Sequence, residues 1–273
     1  MATPAAPEMI YDWGQNRARG DLAPAQGFVN MERDSANDIL TLDALADLRL
    51  LHLADSALPI GALAHSFGLE SLTACEMLTT RDLPDFLRTY LEEAGMMEAV
   101  FCRAAFRLSA AAASDDEFAA RWLALNNQLS ARKPARESRA ASASLGGNFL
   151  QVALNLADLP RAGVALSVSK RAASMAHHST AFGLACGLLQ FAEDRVVLVY
   201  LHQSVASLVS SCQRLLPLGQ SEAARILWNL KPVIIDTANR SATCTPDDAC
   251  CFMPLLDWGA MEHPALSTRL FIS

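Results

Sequence analysis

Lysine is almost missing from this 273-residue chain: Lys133, Lys170 and Lys231 are the only ones, and 22 basic residues face 29 acidic ones for a net charge of −7. Neutralising nucleic-acid phosphates takes a concentrated positive surface, so nucleic-acid binding is not expected. The seven cysteines, at 75, 102, 186, 212, 244, 250 and 251, contain no C-x-x-C pair and no regular spacing. That excludes a recognisable disulfide framework and points to reduced thiols in a cytoplasmic setting. The first residues, MATPAAPEMIYDWGQNRARG, lack the basic-then-apolar order of a secretory signal. There is no G-x-x-x-x-G-K-[ST] loop, no G-x-G-x-x-G after a strand, no G-x-S-x-G and no H-E-x-x-H. Nucleotide hydrolysis and the common serine-hydrolase and zincin layouts are therefore not expected, nor is a bound cofactor. Charged residues make up only 19% and hydrophobic ones 52%. Such a chain does not stay unfolded, and at this length a single core buries ~75% of the extended surface.

Two uncharged stretches, 172–192 and 196–213, approach the ~20 residues of a membrane span. The first holds His177, His178, Ser179 and Thr180, and the second His202, Gln203 and several serines, which lipid would leave without partners. Both read as buried helices of a soluble bundle, with no membrane involved.

What is present is helical periodicity. Residues 1–38 mix Pro, Gly, Asn and charge without a period and read as a flexible N-terminal extension, leaving 39–273 as one all-helical domain. Leu40, Leu42, Leu45, Leu48, Leu51 and Leu53 place a helix ending before Pro59, and a second runs from about His65 to Met77. Asp82-Leu83-Pro84 starts a long amphipathic helix through Phe106. Ser114 and Glu117 form a capping box for a helix that stops before Pro134. Further helices are predicted at about 136–156, 163–192, 195–215 and 221–237, followed by a turn-rich segment, 238–273. Strand signals are few, so the class is all-α: a single-domain multi-helix bundle with closely packed Ala/Gly-rich helices.

Isolated chemistry is sparse. His65 and Ser66 are neighbours, but consecutive helical residues point ~100° apart, which argues against a nucleophile–base pair and for a locally satisfied histidine. His177-His178 diverge in the same way. Cys250 and Cys251, with Cys244 and His263, are the only cluster of soft-metal ligand types, at a spacing that matches no established zinc pattern.

Two further segments carry polar residues and glycines that packing alone does not call for. Asp55 to Glu70 reads D-S-A-L-P-I-G-A-L-A-H-S-F-G-L-E, and Arg214 to Gln220 reads R-L-L-P-L-G-Q. Together with Glu137-Ser138-Arg139, the stretch from His177 to Gly183, and Arg269-Leu270-Phe271 near the end, they resemble the urease accessory protein UreF family from about residue 45 onward. Leu63 stands where that family usually has an aromatic, and Ile272 where a basic residue is common.

The resemblance implies a non-enzymatic, all-helical homodimer that binds the accessory partner UreD (UreH in some systems). Through that complex it recruits the GTPase UreG and serves nickel insertion into the urease apoenzyme. It also implies that Arg269, Leu270, Phe271 and Ser273 form a docking tail, expected to be loosely held in the isolated chain and ordered by the UreD-like partner. His65, Ser66, Gly68 and Glu70 have two readings, partner contact or support of the dimer or core. Arg214, Gly219 and Gln220 are expected either to terminate a helix or to face the GTPase complex as well. The alternative function is direct nickel binding by Cys250, Cys251 and His263.

Overall fold

The computed structural model describes residues 37–111 and 114–272, with side chains from residue 43. Of the extension expected over 1–38, only 37 and 38 fall among the described residues, and they already belong to a helix. From Thr41 onward the chain is one compact unit.

The described residues contain α1 (Asn37–Leu53), α2 (Leu69–Ala74), α3 (Leu83–Tyr90), α4 (Met96–Ala111), α5 (Asp115–Ala131), α6 (Arg136–Leu156), α7 (Pro160–Arg171), α8 (His178–Leu188), α9 (Glu193–Leu215), α10 (Gln220–Asn229), α11 (Lys231–Ser241) and α12 (Pro254–Glu262), and no strands. The all-α class is therefore as the sequence predicts. Boundaries differ where local chemistry intervenes. The long helix from Asp82 runs through, but a π-helical turn at Leu91–Gly95 joins α3 to α4. Ser114 caps α5 as expected, its Oγ accepting from the Glu117 N–H at 3.2 Å. The helix expected over 163–192 is two, α7 and α8, parted by a turn in which Ala173 takes a left-handed φ of 50°. The one expected over 221–237 breaks at Leu230, because Pro232 has no N–H to donate and crowds the preceding turn. In the segment expected to be turns, Pro254 opens α12.

The centre of the bundle is α4, which packs against α5, α8, α9 and α11. Phe101 on α4, Phe118 and Trp122 on α5, Phe149 on α6 and Phe182 on α8 are fully buried around it. Each contributes about 1.5–3 kcal/mol relative to exposure. α4 and α8 approach backbone to backbone: a Cβ on Gly183 would sit 2.1 Å from the Cys102 carbonyl oxygen. A Cβ on Gly146 of α6 would likewise sit 2.0 Å from the Ala176 carbonyl oxygen in the turn before α8. The Ala/Gly-rich segments are thus the places where helix axes close up.

Two polar clusters lie inside this packing. Arg103 on α4, 3% exposed, donates to Glu193 on α9 at 2.8 Å and to the Ser241 Oγ and Ala238 carbonyl on α11 at 2.9 Å each. The second cluster caps α8. Asn126 Oδ1 accepts from the His177 N–H at 2.9 Å and from Thr180 Oγ1 at 2.6 Å, while the His177 ring bonds Ser130 at 2.8 Å and Ser142 at 3.1 Å. Burial, with the Lys133 ammonium nearby, pushes the His177 imidazole down to about 3. Burial also pushes His178 down to about 4. Burial opposes the charge on Glu98, yet its ion pair with Lys133 outweighs that and holds the carboxyl below the usual carboxylate range.

One helix among the described residues, α9, is long and apolar enough to cross a membrane by length and composition, and half of that stretch is buried inside the bundle. The turn before α8 divides the other uncharged stretch.

Gly183→Ala is expected to destabilise the fold by about 3 kcal/mol or more, because the obstacle is backbone rather than a movable side chain; urea unfolding measures it. Below pH 6.5 the unfolded chain protonates His177 while the native chain does not. Stability is therefore complete above that pH and falls by up to ~1.4 kcal/mol per pH unit per such histidine as pH drops toward the native value. His177→Gln is expected to flatten the slope of stability between about pH 6.5 and 5 by that share.

Candidate functional site

The segment that joins α1 to α2 is irregular for identifiable reasons. The Asp55 carboxylate accepts from the Ala57 N–H at 2.8 Å and turns the chain ahead of Pro59. Gly61, at φ 87°, leads into a single 3-10 turn over Ala62–Ala64. Phe67 and Gly68 then both take left-handed conformations, φ 52° and 92°, so α2 begins at Leu69 and not at His65. Gly68 is required twice over, since besides its φ a Cβ there would meet the Leu256 carbonyl oxygen and Ala260 nitrogen of α12 at 2.7 Å. The contact is mutual: a Cβ on Gly259 would lie 2.6 Å from the Gly68 carbonyl oxygen.

This seat of α12 on α2 brings His263 to Glu70. Glu70 is 6% exposed and His263 fully buried, with 2.8 Å between the His263 Nε2 and the Glu70 Oε2. The same carboxylate accepts two backbone N–H groups from the end of the chain, Leu270 at Oε1 and Phe271 at Oε2, the latter at 3.2 Å. Ile272 donates its N–H to the Ala64 carbonyl at 2.8 Å. The Phe271 ring is 5% exposed and lies 4.3 Å under the guanidinium of Arg214, which itself donates to the Leu63 carbonyl at 2.8 Å. Residues near 65, 214 and 270 therefore meet at one place.

That geometry corrects the expectation of a loosely held tail. Phe271 is seated in its own chain because a buried carboxylate needs donors and the tail's N–H groups supply them. It also separates the candidate residues into two groups. His65, Ser66 and Glu70 are buried, and Gly68 is a close-packing position. Arg269, Arg214, Gly219 and Gln220 are exposed. Leu270 is 54%, Ile272 72% and Leu63 47% exposed. Gly219 has an ordinary φ of −70°, and a Cβ there would meet only open space, so neither backbone nor packing demands glycine. Gln220 accepts from the Gln213 side chain at 2.9 Å across the turn between α9 and α10. Ser273 lies outside the described residues.

Sequence reasoning missed α12 and the role of His263. The signals were Pro254 at the first helical position and Asp257 in the first turn, set among prolines and cysteines that read as turns. His263 is engaged by Glu70, and among the described residues no group of three or more His, Cys, Asp or Glu is arranged to hold a metal ion. Cys250, Cys251 and His263 are thus not brought together as such a group.

A cavity of about 400 Å³ lies beneath the irregular segment, with Ile60, Ala62 and Phe67 on one side and Tyr90, His178 and Tyr200 among the residues opposite. Glu98 and Lys133, which also line it, are already paired with each other. Glu70 and His177 are similarly committed. Both Glu70 oxygens accept from N–H donors, and both ring nitrogens of His177 face serine hydroxyls. The arrangement holds a chain terminus in place and leaves neither group placed as a general base.

A family model described as UreF matches residues 77–231. The urease accessory protein UreF of Corynebacterium glutamicum (strain R) is 32% identical over 234 residues, covering 85% of this chain and 100% of that protein. Those of Lachnoclostridium phytofermentans and Rhodopseudomonas palustris (strain BisA53) are 29% and 30% identical, over 83% and 84% of this chain and 98% and 94% of their own lengths. With a family model over more than half of its residues and a relative matched along that relative's whole length, this chain belongs to the UreF family.

Proposed function

We propose that this chain is a non-enzymatic urease accessory protein, working in the cytoplasm as an adaptor in nickel insertion into the urease apoenzyme. In this reading it forms a homodimer, binds a UreD/UreH-type partner through its C-terminal tail, and recruits the GTPase UreG to that complex. The observation that carries the proposal is the convergence of three segments typical of the family on one surface. The 3-10 turn at Ala62–Ala64, the end of α9 at Arg214 and the tail at 269–272 are distant in sequence, Leu63 and Arg214 by 151 positions, yet are joined by direct hydrogen bonds and one cation–π contact.

The surface has the composition of a docking site. Arg269 is exposed beside Leu270 and Ile272, and arginine is one of the residue types that anchor protein interfaces. Phe271 works from inside, fixing the tail. Around Gly219 the chain leaves space that no side chain of its own fills, which suits a partner that approaches the backbone closely. The rival reading, nickel held by Cys250, Cys251 and His263, gains nothing from a histidine already bonded to a carboxylate.

Co-expression with UreD-type and UreG-type proteins is expected to yield a three-component complex, and truncation after Ser267 to abolish it while the helical circular dichroism persists. A truncated chain that enters the complex normally would overturn the role given to the tail. Arg269→Ala is expected to weaken the partner complex about tenfold or more, corresponding to ~1.4 kcal/mol or above. Gly219→Ala is expected to leave stability within ~0.5 kcal/mol of the parent and to lower urease activation. Unchanged activation would reduce that glycine to a bystander.

A further inference from the structure

We infer that Glu70 is the positioning residue of the docking tail: by accepting the backbone N–H groups of Leu270 and Phe271, its buried carboxylate sets where the main chain of residues 269–272 lies. The inference rests, for its effect on partner binding, on the tail-docking reading above. The tail's other ties are of a different kind. Ser267, Thr268, Arg269 and Leu270 are exposed, the Phe271 ring is buried with Arg214 over it, and the Ile272 N–H donates to the Ala64 carbonyl. Glu70, by contrast, receives two consecutive tail N–H groups on a carboxylate fixed from its other side by His263.

The chemistry demands a carboxylate. Three N–H donors converge on Glu70, and an ionised carboxylate is an acceptor at both oxygens. A glutamine of the same shape must turn an NH2 group toward one of those donors. If Oε1 is replaced, Leu270 loses its acceptor; if Oε2 is replaced, Phe271 and His263 lose theirs. The relation is reciprocal: without the tail, the carboxylate keeps only one of its three protein donors. Tail docking is therefore felt at the joint of α2 and α12, where Gly68 and Gly259 touch.

A shape-only role for Glu70 predicts that Glu70→Gln changes little, whereas a positioning role predicts release of the tail. The direct measurement is amide hydrogen exchange in the isolated chain. Glu70→Gln is expected to speed exchange at Leu270, Phe271 and Ile272 about tenfold or more, with α4 and α8 unchanged, and to weaken binding of a UreD-type protein by a similar factor. Unchanged protection of the three tail amides in Glu70→Gln would overturn the inference. A freed tail with undiminished partner binding would overturn only the tail-docking reading, and truncation after Ser267 would then also bind normally. Should Glu70→Gln lose its helices, Glu70→Asp keeps the charge and withdraws the oxygens by one methylene. It is expected to give partial release, and full protection in Glu70→Asp would count against the inference.

Discussion

Backbone-to-backbone contact between α4 and α8 sets the scale of everything around it. Because Gly183 admits the Cys102 carbonyl to a distance at which any Cβ would collide, the two axes lie closer than side chains normally permit. The flanking helices then have to fill what remains with large groups, and Phe118 and Trp122 on α5 and Phe149 on α6 do so. Close axes also place polar side chains from different helices within reach of one another. Arg103 spans to α9 and α11 in this way, and Asn126 reaches the start of α8. The bundle is a set of short backbone approaches, each balanced by a satisfied polar group nearby, and it provides a rigid base for the irregular segment between α1 and α2.

On that base, function is a matter of presentation. The segment from Asp55 to Glu70 faces two ways. Its buried side chains tie α2, α12 and the tail together, and its backbone carbonyls at Leu63 and Ala64 receive Arg214 and Ile272. Groups that look reactive in the sequence are consumed by these ties. A carboxylate and a histidine that sit side by side are a familiar sign of catalysis, but here the carboxylate's remaining hydrogen-bonding capacity goes to a chain terminus instead of to a bound molecule. The polar groups at this place hold shape, while Arg269, Leu270 and Ile272 stay exposed.

The fold class, the capping box at Ser114 and the extents of α5, α6 and α9 were legible because each rests on local chemistry: a side-chain cap, a proline stop or an unbroken apolar stripe. The breaks were less so. Pro232 was visible as a residue, yet its effect on Leu230 depends on how much neighbouring packing tolerates. Ala173 at a left-handed φ closes α7 in a Schellman cap, with the Ser174 N–H donating to the Ser169 carbonyl at 3.0 Å, and without a glycine at that position the sequence carried no signal of it. At the site, the polar and glycine residues stood out in the sequence, but Gly68 is in fact a packing position against α12. Glu70 and His263 were separated by 193 positions, so their pairing was hidden. Only α12, disguised by the prolines and cysteines before it, brings them together.

The facing glycines at 68 and 259 have a genetic counterpart. Each excludes a Cβ on the other's helix by way of main chain, which no substitution alters, so a change at one position has no compensating change at the other. Drift in descendants of this chain would then be tolerated only by a displacement of α12 as a body, carrying His263 and the end of the polypeptide with it. Loss of either glycine and divergence of the last few residues should accordingly travel together along a lineage.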